Sequence, residues 1–158
     1  MRIIETTVYA LNELSDKAKE RAIEKHRYYM EYPWTKECLD SLNAFCDEFC
    51  IKVTECTLSD CYRASIVTDA TPQRFRGVRL SSFDREAMPT GFCFDNDLRY
   101  TFHDEFKRTG DAYHAFETAI DSFLSAVKQD IAWHYSDQAI EEHIEANEYE
   151  FKENGDLA

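Results

Sequence analysis

The stretch DAYHAFETAIDSFLSAVKQDIAWHYSDQAIEEHIEANE, residues 111–148, sets the helical frame of this chain. Phe116, Ile120, Phe123, Val127, Ile131 and His134 recur at three- and four-residue spacing, which predicts one long helix opening at Asp111. Ser136 then offers an N-cap for a second, shorter helix. Read as a helix, residues 137–148 place Ala139, Ile140, His143, Ile144 and Asn147 on one side. Asp137, Glu141, Glu145 and Glu148 lie roughly opposite, with Glu142 and Glu150 flanking. Like charges at these spacings repel by a few tenths of a kcal/mol per pair. A helix that keeps them tolerates a loss that neutral residues would avoid, and a basic surface facing the stripe is one explanation.

Upstream, Arg2 to Leu11 reads as a strand rich in Ile, Thr, Val and Tyr. Ser15 caps a helix with Asp16 at its positive end, followed by Ala18, Ala22, Ile23, His26, Tyr29 and Met30 at helical spacing. Thr35 caps another, whose face is Cys38, Leu39, Leu42, Phe45, Cys46 and Phe49. Ile51 to Leu58 alternates as a strand, and Tyr62 to Thr68 is its expected hairpin partner. Residues 71–76 read as a loop, Val78 to Ser82 and Phe92 to Phe94 as short strands, and Tyr149 to Lys152 as a final edge strand. Strands and helices mix without regular β-α-β alternation. The expected fold is a single α+β domain over residues 1–158, an antiparallel sheet with about four helices packed on it. Residues 136–154 form its acidic C-terminal helix and edge strand.

At 158 residues the chain is long enough to bury roughly 70% of its unfolded surface. Eleven Phe, nine Tyr and two Trp supply a core, and Gly and Pro are scarce. The net charge of −13 exceeds the magnitude of roughly 2–8 usual for a small soluble domain. From Asp130 onward nine carboxylates face one lysine, Lys152, a local net charge of −8. Such a balance disfavours direct binding to nucleic acid or anionic lipid, which proceeds through Lys and Arg. It favours a basic protein partner and fast, salt-sensitive association. No run approaches the ~18 apolar residues of a membrane span. Met1-Arg2-Ile3-Ile4-Glu5 is too short and too soon charged for a signal peptide, so the cysteines are expected reduced, in a cytoplasm.

Chemical motifs are sparse. Cys38, Cys46, Cys50, Cys56 and Cys61 could between them hold zinc, but no C-x2-C pair occurs and Cys46 shares its helical face with Phe45 and Phe49. His26, His103, His114, His134 and His143 form no H-x3-H or H-E-x-x-H pattern. His103, Asp104 and Glu105, with Asp95-Asn96-Asp97, could be imagined around a cation, yet the EF-hand glycine and terminal Glu are out of register. Turn chemistry is the simpler use of Asp-Asn-Asp. No nucleophile elbow or phosphate-binding glycine loop is present. Arg63, Arg74, Arg76, Arg79 and Arg85 make residues 62–86 net +2, a segment read as internal ion-pair partners rather than a nucleic-acid site. Residues four apart on a helix rise about 6 Å, against 3.4 Å per charge on one strand of B-DNA. A carboxylate row can therefore occupy a cleft built for phosphates.

Two ends of the chain resemble a family of small bacteriophage and prophage proteins sometimes labelled antitoxin-like. The likeness lies in Ile4-Glu5-Thr6-Thr7-Val8-Tyr9 with Glu13-Leu14-Ser15-Asp16-Lys17-Ala18-Lys19-Glu20-Arg21-Ala22, and in Ser136-Asp137-Gln138-Ala139-Ile140 with Glu145-Ala146-Asn147-Glu148-Tyr149-Glu150-Phe151. Residues 78–83 and 91–94 are similar to two central strands of that family, though its glycine-rich connection is here Asp84-Arg85-Glu86-Ala87-Met88-Pro89-Thr90. The resemblance implies a phage origin and supplies no catalytic residues. The resulting expectation is a non-enzymatic, phage-encoded inhibitor of a host defence complex such as a CRISPR effector. It would act in the cytoplasm of the bacterial host, without metal or cofactor, on a basic host protein or ribonucleoprotein. Its binding residues would be Asp137, Glu141, Glu142, Glu145, Glu148 and Glu150. The alternative is an antitoxin that neutralises a toxin by direct binding.

Overall fold

Two serines start two of the helices. Ser15 Oγ accepts a hydrogen bond from the Ala18 N–H (3.4 Å) at the head of α1 (Asp16–Tyr29). Ser136 Oγ accepts one from the Ala139 N–H (3.3 Å) at the head of α5 (Asp137–Ala146). Each cap satisfies one of the donors that a helix leaves unpaired in its first turn. The computed structural model describes residues 7–158. The chain divides into two units, one built from Met1–Glu31 and Ala132–Ala158, the other from Tyr32–Ile131.

In the first unit, α1 buries Ala18, Ala22 and Ile23, and α5 buries Ala139, Ile140 and Ile144. Leu11, Ala22, Ile23, Ile140, Ile144 and Phe151 form one cluster, with Leu14 and Met30 against it. Fully burying an aliphatic or aromatic side chain of this size contributes about 1.5–3 kcal/mol. The expected strand from Arg2 lies partly outside the described residues. Within them, only Tyr9 pairs, through its N–H to Phe151 O (2.8 Å) and its carbonyl from the Phe151 N–H (2.9 Å). Leu11–Glu13 is already a 3-10 turn. The expected edge strand at 149–152 is likewise one residue wide among the described residues, where Phe151 bridges Tyr9 and Leu157 and nothing else there pairs as sheet.

The second unit holds α2 (Thr35–Asp47), the hairpin β1 (Val53–Thr57) and β2 (Ser65–Thr68), α3 (Phe94–Thr109) and most of α4 (Ala112–His134). Asp111 caps α4 by accepting from the His114 N–H (3.0 Å). Phe45 of α2 stacks on Phe116 of α4 (centroids 5.5 Å apart), and Phe49 meets Phe102 of α3 at 4.8 Å. These ring contacts join α2 to α3 and α4. The fold is α+β, but its sheet is a two-stranded antiparallel hairpin and the described helices number five. Thr35 sits inside the first turn of α2, and Trp34 at the N-cap position makes no side-chain cap.

The segment 78–94 departs most from expectation. Leu80–Ser82 is a 3-10 turn, and Phe94 opens α3, a helix that the Asp-Asn-Asp reading had hidden. The cause is two buried side chains of α3, one turn apart. Asp95, 1% exposed, accepts from the backbone N–H groups of Thr90 (2.9 Å) and Gly91 (3.0 Å) and from Thr90 Oγ1. Arg99, 2% exposed, donates Nε to Asp84 O (2.8 Å), lies 4.6 Å over the Phe83 ring and pairs with Glu48. Both ends of the connection are thus tied to a helix, and no strand partner exists for it among the described residues.

Residues 152–156 turn tightly, with the Lys152 N–H on Asp156 O (2.8 Å) and Gly155 at φ +82°. A Cβ at 155 would collide with the Ala18 backbone carbonyl of α1. Gly155→Ala therefore combines left-handed strain with a backbone clash, and should lower unfolding stability by about 2 kcal/mol. Urea denaturation reads this directly; an unshifted midpoint would mean that this turn is not seated on α1.

Candidate functional site

Basic side chains of α1 claim part of the acidic C-terminal segment. Lys19 Nζ binds Glu141 at 2.8 Å, and Arg27 pairs with Asp137 and with Glu24 while donating Nε to Tyr135 O (3.0 Å). Lys19 precedes Arg27 whereas Glu141 follows Asp137, so α1 and α5 run antiparallel along this seam. Asp156 takes both Lys25 and Arg21 (3.0 Å to the latter), and the Lys25 hydrogen bond leads in holding its carboxyl below the usual range. Asp130, in the other unit, accepts from the Tyr32 hydroxyl. Two of the six residues expected to face a partner, Asp137 and Glu141, are therefore engaged within the protein.

Of the remaining four, Glu142 and Glu145 lie on α5, and Glu148 and Glu150 lie beyond its end. Glu142 accepts from Gln138 Nε2 (3.0 Å). Glu145, Glu148 and Glu150 meet no cation among the described residues. Glu148 is not helical as expected, because α5 ends at Ala146. The Tyr149 N–H reaches back to Ile144 O (3.2 Å) and the Glu148 N–H to Glu145 O (3.1 Å), the paired bonds of a Schellman ending. The position between helix and exit is left-handed, and Glu148 occupies it at φ +52°, where glycine carries no Cβ penalty. α2 ends the same way at Cys50 (φ +55°), whereas α3 ends on Gly110.

This ending turns Glu148 and Glu150 onto a cleft of about 530 Å³. Its far wall is the segment from Val8 to Glu13, held there by the Tyr9–Phe151 bonds, with the Glu13 carboxylate on the Ala10 N–H (2.8 Å). Ile144, Glu145, Glu148, Tyr149 and Glu150 form the near wall, and no Lys, Arg or His among the described residues lines it. Carboxylates beside apolar and aromatic surface suit a Lys or Arg side chain, whose stem packs while its head stays with the charges. Periodicity could not have found Val8, Glu13 or Tyr149 as neighbours of Glu145. Only the pairing of Tyr9 with Phe151, remote in sequence, brings them together.

The other motifs resolve into local structure. His103 and Asp104 bind each other (3.0 Å), while Glu105 takes Arg108 and His114 (3.1 Å to the latter). Cys38 and Cys46 are buried, and burial pushes their thiols up to about 11 and about 12. Among the described residues no three His, Cys, Asp or Glu side chains gather as a metal site. Of the arginine segment, Arg74 binds Asp69 (3.0 Å) and the Cys50 carbonyl (2.6 Å), and Arg85 binds Glu86 and Asp104. Arg63, Arg76 and Arg79 are exposed. No described helix is long and apolar enough to cross a membrane. No protein-family model, curated protein or solved structure matches the chain.

Behind Tyr149, the His26 ring sits 5.2 Å from both the His143 and Tyr149 rings. Lys25 and Asp156 line the same small pocket as His26. Burial, then the charge of His143, lowers the His26 pKa from 6.5. The folded state thus binds fewer protons than the unfolded one, so stability is full above pH 6.5 and falls as pH drops through the lowered value. His26→Gln should flatten unfolding free energy against pH in that window; an unchanged slope would remove His26 as its source. Glu148→Gly relieves the left-handed strain and should raise stability by about 1 kcal/mol in the same denaturation assay.

Proposed function

We propose that this chain is a non-enzymatic binding protein that engages a basic, nucleic-acid-handling partner through its acidic C-terminal face. The observation that carries the reading is the set of Glu145, Glu148 and Glu150 along the cleft, uncompensated while the neighbouring Asp137, Glu141 and Asp156 are matched by the protein's own cations. Glu148 sharpens it, because a residue kept in a conformation glycine would adopt more cheaply points to a use for its side chain. The stretch mimics phosphate spacing less regularly than a straight helical row would, since α5 stops at Ala146. Its binding epitope is accordingly Glu142, Glu145, Glu148 and Glu150, with Asp137 and Glu141 serving to seat α5 on α1.

In this reading the partner is a host defence complex, such as a CRISPR effector, and the protein is its phage-encoded inhibitor in the bacterial cytoplasm. The resemblance of both chain ends to small phage proteins supports that placement, and the net charge of −13 supports a cationic target. The test is phage plating on bacteria that carry an active CRISPR system and express the chain. Native protein should restore plaque formation. Glu145→Lys with Glu150→Lys should abolish restoration, whereas Asp137→Asn with Glu141→Gln should retain most of it provided the fold persists by circular dichroism. Equal restoration by the doubly reversed protein would show that the cleft is not the binding surface.

A further inference from the structure

The hairpin of the second unit has an edge whose backbone groups meet no strand partner among the described residues. The Asp69 N–H donates to Lys52 O (3.0 Å) and Thr54 Oγ1 donates to Val67 O (3.1 Å), so the odd-numbered residues of this strand direct their backbone polar groups toward β1. The two-residue period of a strand sends those of Ile66 and Thr68 the opposite way. There no described strand receives them: the sheet contains β1 and β2 alone, and the isolated bridges lie in the other unit. Beside this edge runs a groove of about 430 Å³, to which β1 contributes nothing. Phe116 and Ile120 of α4 provide apolar lining, and Glu117 and Asp121, four residues apart on the same helix, provide two carboxylates. Glu117 accepts from the Tyr113 hydroxyl (2.5 Å), and among the described residues neither carboxylate pairs with a cation and no basic side chain lines the groove.

We propose that β2 accepts a third strand: an extended segment of a partner protein with lysine or arginine alternating with aliphatic residues. An open edge supplies main-chain donors and acceptors in the pattern that strand addition uses, and adjacent pockets read alternate side chains. The carboxylates on α4 select the charge. They also argue against a second copy of this chain as occupant, because edge-to-edge pairing would bring two pairs of carboxylates together on molecules that each carry −13. With a β2 of four residues, the docked segment spans about 13 Å, which limits it to a short motif. This surface belongs to the unit Tyr32–Ile131 and does not rest on the acidic cleft.

The probe is an acetylated, amidated Lys-Val-Lys-Val-Lys-Val peptide, titrated at low salt against the full chain and followed by amide hydrogen exchange. The expected result is saturable binding, at least tenfold slower exchange at Ile66 and Thr68, and about tenfold weaker binding to the variant carrying Glu117→Lys and Asp121→Lys. A peptide N-methylated at alternate residues, which cannot complete the ladder, should bind at least tenfold more weakly to the native protein. Four outcomes overturn the proposal. One is no saturation at millimolar peptide. Another is equal binding of the N-methylated peptide. The third is protection that maps to α5 instead. The fourth is protection of Ile66 and Thr68 that rises with protein concentration without peptide, which would make the occupant a second copy.

Discussion

Phe151 is the residue through which the first unit closes. Its ring, 1% exposed, packs with Ile140 and Ile144 of α5 and with Ala22 and Ile23 of α1, while its backbone binds Tyr9 and bridges Leu157. Apolar burial and backbone pairing thus act on one side chain and its own peptide groups. Removing the ring would uncover both helices and release the Val8–Glu13 wall, so the cleft is a consequence of this contact rather than a separate construction. The ion pairs along α1 add orientation: exposed pairs of this kind contribute little net stability, but they fix how α5 lies.

The acidic segment therefore has two roles that its composition does not separate. Asp137, Glu141 and Asp156 complement Lys19, Arg27, Arg21 and Lys25, and their charges cancel within the fold. Glu145, Glu148 and Glu150 lie past the reach of α1's cations. Asp137 and Glu141 pair with α1 from within α5, Glu145 on the same helix meets no cation among the described residues, and Glu148 and Glu150 lie beyond the helix end at Ala146.

What the sequence makes legible is what is local. Ser15 and Ser136 sit where an N-cap belongs, and the buried aliphatic and Phe positions of α1, α2, α4 and α5 are legible because they recur within one turn, whereas Tyr29, His143 and Asn147, read on the same faces, are exposed. α3 carries the same signal, with Phe94, Leu98, Phe102 and Phe106 four residues apart, but the Asp-Asn-Asp at its start reads as a turn, and the charged Asp95 and Arg99 are buried alongside that stripe. Asp95 is held by its near neighbours Thr90 and Gly91, but the burial of Arg99 makes sense only with Asp84 and Glu48 in place, and those contacts are tertiary. The short apolar runs at 78–82 and 92–94 look like strands for the same reason: β-propensity expresses itself only when a partner strand is present. Likewise nothing in the spacing of the C-terminal acids reveals that Glu148 leaves the helix, since a left-handed exit usually announces itself with glycine.

The distribution of sulfur has a practical outcome. All six cysteines fall between Tyr32 and Ile131, and none is disulfide-bonded. Cys50 and Cys93 are open to solvent, whereas Cys38 and Cys46 are sealed in with thiols held in their unreactive protonated form. An alkylating reagent will therefore mark the first pair at once and the second only during excursions that expose the interior. The molecule carries its own clock for the opening of one unit, with no label to introduce and no interference from the other, which contains no thiol at all.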